Sequence, residues 1–169
     1  MLKTSLDGRI FVEKTNPRIV LRGRLDSLNA QIILMQCESQ NQNFINDIEE
    51  FRQVILKLMY IEVTGENFGE LNLWGLNENE IHERSHNPEK YYASKGHVMP
   101  HFEMGIEAAK INFLRTLVRE IEIIAYEVFN ENNFTHVLNR LSSALYILIY
   151  KYLPENYDKF LNFRNRNRR

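Results

Sequence analysis

Apolar residues recur at helical spacing along four long segments of the chain. The segments run over about 18–38, 44–61, 101–130 and 134–153, and the last ends at Pro154, which cannot continue a helix. Within each segment apolar side chains return every three or four positions, which places them on one face of a helix. The pattern therefore predicts four long helices.

Residues 62–100 are the least periodic part of the chain and are punctuated by glycines and prolines. Within them, Asn77 is followed three residues later by Glu80, the pattern of a capping box, which predicts that a short helix begins there. Residues 39–43 are polar and are expected to form a loop. We expect residues 1–17 to form an irregular or extended arm.

These elements predict an all-α fold: an up-and-down bundle of five helices, four long and one short. The chain has 7 glycines and 4 prolines, a low content that also favours long helices. We expect a single domain over 1–169, with the arm at 1–17 and a basic C-terminal tail at 154–169. The last long helix is apolar on nearly every side, which predicts that neighbouring subunits help to cover it.

Composition narrows the classes of function. With 169 residues, 44% of them hydrophobic, the chain can bury the core of one domain. The net charge is −1, so no overall field favours nucleic acid or a membrane as partner. The basic run at 164–169 either contacts phosphate or is a solvated terminus. The single cysteine, Cys37, excludes an internal disulfide, and the sequence has no signal peptide, so we expect a cytoplasmic protein.

The segment 112–122 carries more polar chemistry on one face than helix packing requires. Arg115, Arg119 and Glu122 are spaced i, i+4 and i+7, so a helix places them on one side. Guanidinium groups present rigid forks of donors to anionic oxygens, and two in a row suit a polyphosphate. A carboxylate one turn further on can orient an arginine or accept from a ribose hydroxyl.

Two further polar residues interrupt apolar helices, and each has two interpretations. Asp26 is either a surface carboxylate with basic neighbours on its own helix, or a half-buried acid paired with Arg115 on another helix. Asn139 is either the N-cap of the last helix or a functional residue inside it, since asparagine is a poor helix former. Thr135 is the better candidate for the cap.

Histidines and aromatic residues of the irregular region also have two interpretations. His82 and His86 have the i, i+4 spacing of two metal ligands, but Pro88 shortens the helix and no zincin pattern follows. They are therefore either ligands or histidines that simply form hydrogen bonds. The aromatic residues form either the floor of a pocket for a flat ligand or part of the core. They are Trp74, Tyr91, Tyr92 and Phe102.

Several short stretches resemble the ATP:corrinoid adenosyltransferases. Residues 14–18, 23–29, 114–122 and 138–142 occur in the order found in the propanediol-utilisation type. The resemblance is closer to the catalytic domain of the ethanolamine-utilisation cobalamin adenosyltransferase. It extends there to 76–82, 85–88 and 98–100, and in total it covers roughly residues 12–153.

This resemblance implies a five-helix bundle that assembles as a trimer with active sites between subunits. The implied reaction transfers the adenosyl group of ATP to reduced cobalamin: cobalt attacks the ribose 5′ carbon and the triphosphate leaves. Such a reaction needs a bent ATP, a charge clamp and a dry corrin pocket more than acid–base catalysis. Mg²⁺ would accompany ATP. The product would serve ethanolamine ammonia-lyase, in the cytoplasm or with an ethanolamine-utilisation microcompartment.

The resemblance also assigns residues, position by position. Arg115 and Arg119 would be catalytic together with Asp26, which holds Arg115. The residues implied to bind ATP are Lys14, Arg115, Arg119, Glu122, Asn139 and Arg140, the last of these either at ATP or at the subunit interface. The residues implied to bind cobalamin are His97, Val98, Met99, Tyr91 and Tyr92. No metal ligand is expected.

The sequence departs from the family in ways that leave alternatives open. Of the Thr/Gly/Asp-rich triphosphate loop of the propanediol type, only Asp7-Gly8 is left, and the His/Cys metal motif of the ethanolamine type is not found in residues 1–13. His97 stands where the propanediol type has a phenylalanine that displaces the lower cobalamin ligand. Glu120 stands where it has a further arginine. The alternatives are a cobalamin- or ATP-binding homologue with weak or no transferase activity, and a helical bundle without ligand.

Overall fold

In the computed structural model, which describes residues 2–6, 8–93 and 96–161, the chain folds into a bundle of long helices. These are α1 (Pro17–Glu38), α2 (Gln42–Thr64), α5 (Ile106–Phe129) and α6 (Asn133–Tyr152). Between α2 and α5 lie the short α3 (Glu78–His86) and the single turn α4 (Pro88–Tyr91). The predicted all-α bundle is confirmed. In the described ranges, no helix is both long and apolar enough to cross a membrane.

Local sequence signals set the helix boundaries. The side chain of Asn16 caps α1 by accepting from the Arg18 N–H at 3.0 Å, and Pro17 takes the first helical position. α2 ends at Thr64 and is capped by Gly65, whose φ of 75° is the left-handed conformation that glycine adopts readily. The capping box predicted at Asn77 and Glu80 opens α3.

α6 opens with a capping box of its own. The Asn132 side chain accepts from the Thr135 N–H at 3.0 Å, and Thr135 Oγ1 accepts from the Asn132 N–H at 3.0 Å. Asn132 is therefore the cap, and Thr135 is the second half of the box rather than the cap predicted from the sequence. Asn139 lies well inside α6, so its interpretation as an N-cap is wrong.

Replacing Asn132 with alanine should destabilise the protein by about 1 kcal/mol, because the first turn of α6 loses a side-chain acceptor. For a chain of this length that corresponds to a fall in Tm of roughly 2–4 °C. Thermal unfolding followed by circular dichroism measures it. Asn43→Ala, at an exposed position in the first turn of α2, is the matched control. Equal Tm values for the two variants would contradict this role of the box.

The core lies between the long helices. α1 packs against α2 and α5, α5 packs against α6, and α3 lies on α6. Apolar side chains of α6 are buried by the chain's own elements, among them Leu141, Leu145, Ile147, Leu148 and Ile149. Their burial thus needs no neighbouring subunit, while the expected packing between subunits stays a prediction.

Short antiparallel strand pairs occupy segments without helical periodicity. β1 (Lys3–Ser5) and β2 (Phe11–Glu13) form a hairpin, so the expected N-terminal arm is partly ordered as strands. β3 (Asn72–Leu73) pairs with β4 (Leu76–Asn77). β5 (His97–Val98) pairs with β6 (Phe160–Leu161), which follows α6 in the chain. Asp7 and the part of the basic tail at 162–169 lie outside the described residues.

The third long helix begins later than its apolar pattern predicts. Phe102–Met104 form a 3₁₀ turn, and Gly105 follows with a φ of 79°. A positive φ interrupts the helical hydrogen-bond ladder, so α5 starts at Ile106 rather than near His101. The apolar spacing continues across this break, which is why the pattern alone misses it.

Candidate functional site

The polar side of α5 predicted from its spacing is present in the structure. Arg115, half-buried, donates from Nε to Asn112 Oδ1 at 3.2 Å, while Arg119 is exposed one turn further on. Burial, and then the charge of Arg119, lower the pKa of Arg115. An anion bound beside these two cations would therefore offset both desolvation and like-charge repulsion.

A cavity of about 760 Å³ opens between α5 and α6. At its wall Asn139 Nδ2 donates to Glu122 Oε1 at 2.8 Å, which joins the two helices. Arg119 also lines the cavity, so three residues predicted to bind ATP meet at one place. The other lining residues are Ile123, Tyr126, Glu127, Glu131, Thr135 and His136. The arrangement combines a cation, an amide and carboxylates with an apolar wall, which suits a polar ligand with one flat apolar part.

Two tyrosines of α6 hold the segment 96–98. The Val98 N–H donates to Tyr146 Oη at 3.1 Å, and Tyr150 Oη donates to Gly96 O at 3.0 Å. His97 Nδ1 lies 2.9 Å from Tyr146 Oη, and the two tyrosine hydroxyls lie 3.0 Å apart. A hydrogen-bonded network therefore fixes this segment on α6.

The residues predicted to bind cobalamin do not all lie together. The Tyr92 ring stacks on the Tyr150 ring with centroids 4.6 Å apart, beside the segment 96–98. Tyr91 instead donates from Oη to Glu83 Oε1 at 2.6 Å, which directs it toward α3. The Tyr91 side chain is thus directed to α3, whereas that of its neighbour Tyr92 packs on α6.

Two aromatic residues do not form the pocket floor considered from the sequence. Trp74 is half-buried and donates from Nε1 to Asp47 O on α2 at 3.0 Å. Phe102 is 85% exposed. One ring is therefore anchored on α2 and the other projects into solvent.

Asp26 and Lys14 lie away from the α5 cavity. Asp26 is exposed on α1, in a depression that it shares with Met59 of α2 and with β1. The side of α1 that faces α5 carries Ser27 instead. Within one chain Asp26 is thus not the half-buried partner of Arg115 that the sequence suggested. Lys14 is exposed directly after β2.

The histidines of α3 take part in hydrogen bonds. Arg140 Nη1 lies 2.9 Å from His82 Nδ1, and His86 Nδ1 lies 2.9 Å from His82 O. Arg140, predicted at ATP or at a subunit interface, is therefore directed to α3 in this chain. Across the described ranges, no three His, Cys, Asp or Glu side chains are arranged to hold a metal ion.

His82 predicts a pH dependence. Partial desolvation of the largely exposed imidazole, followed by the charges of Arg140 and His86, lowers the pKa of His82 from its ordinary 6.5. The unfolded chain then binds the proton more readily, so stability should fall as the pH drops below 6.5 and through the lowered value. Tm measured between about pH 8 and pH 5 should fall less steeply in His82→Gln than in the wild type. His101→Gln serves as control. Equal slopes in all three proteins would contradict the prediction.

A buried ion-pair cluster joins α1 to α2, and sequence reasoning missed it. Glu62 is 2% exposed, and its carboxylate accepts from Arg18 Nε at 2.8 Å and from Arg22 Nε. Arg18 Nη2 also donates to Glu62 O, and Arg22 Nη1 donates to Leu6 O, both at 2.5 Å. The cluster thereby ties the N-terminal hairpin to the bundle. The available signal was the i, i+4 spacing of the two arginines, and Tyr146 and Tyr150 show the same spacing on α6.

This fold, with an arginine face beside a cavity and a short strand held by two tyrosines, is that of a known family of transferases. The chain belongs to the cobalamin adenosyltransferase family, whose model matches residues 2–152. It is 34% identical over 155 residues to the corrinoid adenosyltransferase EutT of Salmonella typhimurium, and equally to that of Escherichia coli K12. The alignments cover 86% of this chain and 57% of each relative. The chain thus spans little more than half the length of these curated relatives.

Solved structures share the fold. A variant of the PduO-type ATP:corrinoid adenosyltransferase from Lactobacillus reuteri, complexed with cobalamin and ATP, matches with a TM-score of 0.72 at 20% identity. That match covers 95% of this chain and 94% of the other. Another variant, complexed with ATP, matches with a TM-score of 0.71 at 18% identity and the same coverage. These likenesses confirm the helical bundle expected from the family resemblance.

Proposed function

We propose that this chain transfers the adenosyl group of ATP to cob(I)alamin and so forms adenosylcobalamin. The observation that carries the proposal is that one face of α6 carries Asn139 at the cavity wall and, two turns further on, Tyr146, which holds the segment 96–98. Burial raises the pKa of Tyr146, while its hydrogen bonds with Tyr150 and Val98 and the charge of Arg115 act in the opposite direction. The proposed triphosphate clamp would thus lie next to a surface formed by tyrosines and Val98. The name of the EutT relatives, corrinoid adenosyltransferase, supports the same assignment.

On the ATP side, Arg115 and Arg119 would bind the triphosphate, while Glu122 and Asn139 would contact the nucleoside. Arg140 and Lys14 would reach ATP only after a movement or from a neighbouring copy, given their positions. Mg²⁺ would be held mainly by phosphate oxygens, because Mg²⁺ at nucleotides commonly keeps few protein ligands and the described residues offer no three-ligand group. It would neutralise charge on the triphosphate.

On the corrinoid side, the segment 96–98 with Met99 and Tyr92 would form the wall against the macrocycle. Val98 is buried, while Met99 is 40% exposed and so presents apolar surface to a ligand. Tyr91 would lie at the rim. His97 would face the lower side of the corrin, where the propanediol type has phenylalanine.

The proposed reaction balances with the two substrates alone. Cobalt(I) donates an electron pair to the ribose 5′ carbon and forms the Co–C bond. The 5′ C–O bond breaks, and the triphosphate leaves with that bond's electron pair. Arg115 and Arg119 would stabilise the negative charge that develops on the leaving oxygen, which is where preorganised donors accelerate a reaction most.

A neighbouring subunit would supply Asp26. In its own chain Asp26 is exposed and distant from the cavity wall, so pairing with Arg115 requires a second copy, as in a homotrimer with sites between subunits. Exposed apolar side chains on α1 and α5 offer surface for such an assembly. They are Val20, Ile33, Leu34, Phe113, Ile123 and Tyr126. Ethanolamine ammonia-lyase would use the product, in the cytoplasm or with an ethanolamine-utilisation microcompartment.

One assay tests the proposed function. The protein is mixed with ATP, Mg²⁺ and chemically reduced cobalamin, and the absorbance change of Co–C bond formation is followed. Turnover supports the transferase. Bound cobalamin or ATP without turnover would instead identify a binding homologue, and neither binding nor turnover would identify a ligand-free bundle. Light scattering of the same sample tests the trimer.

A further inference from the structure

We infer that Tyr146 is a positioning residue for the corrinoid: its hydroxyl holds the segment 96–98 in the place from which that segment faces the macrocycle. The inference rests on the proposed function and deepens it, because it assigns a role to a residue of α6 outside the predicted site.

The geometry around Tyr146 is specific to this segment. Its hydroxyl lies 2.9 Å from His97 Nδ1 and accepts from the Val98 N–H at 3.1 Å. The His97 and Tyr146 rings also lie nearly parallel, at 25°, with centroids 5.8 Å apart. One side chain therefore fixes both the backbone of the segment and the orientation of its imidazole ring.

The hydroxyl of the neighbouring Tyr150 makes different contacts. Its hydroxyl donates to Gly96 O at 3.0 Å and lies 3.3 Å from the Val98 nitrogen, farther than the Tyr146 hydroxyl does. If the Tyr146 hydroxyl is removed, the Val98 N–H keeps a partner in Tyr150, so no buried donor is left unsatisfied. What is lost is the bond to His97 and the 3.0 Å contact with the Tyr150 hydroxyl. Tyr146 therefore acts on the position of the segment more than on the stability of the bundle.

Tyr146 also lies two turns beyond Asn139 on α6, between the cavity that Asn139 lines and the segment 96–98. Burial is the main cause that raises the pKa of Tyr146, so its hydroxyl is a neutral hydrogen-bonding group at physiological pH. Arg115, on the ATP side, is near enough for its charge to act on the same hydroxyl. Loss of this hydroxyl removes the bond on the corrinoid side and leaves the arginines of the ATP side in place.

The test is Tyr146→Phe, which removes the hydroxyl and keeps the ring. We expect the KM for cob(I)alamin to rise roughly tenfold, which corresponds to the free energy of one or two hydrogen bonds. The KM for ATP should change less than about twofold. Tm should stay within about 2 °C of the wild type. Tyr152→Phe is the matched control on the same helix, because its hydroxyl donates to Asp47 Oδ2 at 2.6 Å, away from the segment 96–98. It should leave both KM values unchanged.

A double-mutant cycle with His97→Ala tests the route of the effect. If Tyr146 acts through His97, the two substitutions together should raise the corrinoid KM hardly more than His97→Ala alone. Three results would each overturn the inference: fully additive effects, an unchanged corrinoid KM in Tyr146→Phe, or equal rises in both KM values. In each case an active wild type would still uphold the proposed function. A wild-type protein that neither binds nor converts corrinoid would overturn both.

Discussion

Replacing Arg119 with alanine is expected to abolish measurable ATP binding and to lower kcat/KM by at least about 100-fold. Arg119 lines the cavity between α5 and α6, where its guanidinium would offer a fork of donors to the oxygens of the proposed ligand. It is exposed, so truncation removes binding chemistry without opening the core. Isothermal titration with ATP and the cobalamin assay measure the two losses, and circular dichroism should show an unchanged fold.

Two companion variants sharpen that experiment. Arg119→Lys keeps the charge but loses the fork, so it should fall between the wild type and the alanine variant. Arg52→Ala removes an arginine of α2 that pairs with Glu49, and should leave ATP affinity at the wild-type level. ATP affinity and turnover near wild type in Arg119→Ala would show that the site lies elsewhere.

The second large effect is expected on stability. Replacing Glu62 with alanine should destabilise the protein by about 3 kcal/mol, because Arg18 and Arg22 lose the buried carboxylate that compensates their charges. The corresponding fall in Tm is roughly 6–12 °C. The expectation is at the lower end of the range for buried pairs, because 34% of the Arg18 side chain reaches solvent. Denaturant unfolding provides the free energy directly.

Controls separate the buried charge from ordinary truncation. Glu49→Ala breaks an ion pair with Arg52 in which the Glu49 side chain is 38% exposed, and should cost less than about 1 kcal/mol. A variant with methionine at Arg18, Arg22 and Glu62 together should recover most of the lost stability, because no charge is then left uncompensated. A loss for Glu62→Ala no larger than that for Glu49→Ala would refute this account of the cluster.

Periodicity predicts the long helices here because each helix buries one apolar face. Such a face requires an apolar residue at every third or fourth position of the sequence. Helix ends follow less directly. At α6 the choice between Asn132 and Thr135 depends on which residue leaves the helical conformation. At α5 the positive φ of Gly105 interrupts an apolar pattern that continues across the break. The spacing of apolar residues alone predicts neither of these two backbone conformations.

The residues of the candidate site also fall into those that local spacing predicts and those that it does not. Residues of one helix face, such as Arg115, Arg119 and Glu122, are brought together by local geometry, so their spacing predicts their proximity. The link from Glu122 to Asn139 needed the family resemblance, because it spans two helices. The placement of Asp26 and Tyr91 depends on how whole helices and loops pack, which a local sequence pattern does not predict. The buried Glu62 was hidden for the same reason.

The pairing of β5 with β6 has a consequence for the order of folding. The two strands are separated in the chain by all of α5 and α6, so closing that loop is entropically costly until both helices have packed. Contacts within the helices and between neighbouring helices are local and form first. We therefore expect the surface around His97 and Val98 to be completed late, on a bundle that is already formed. During that interval, the chain would have its helical core before it has the paired strands that carry His97 and Val98.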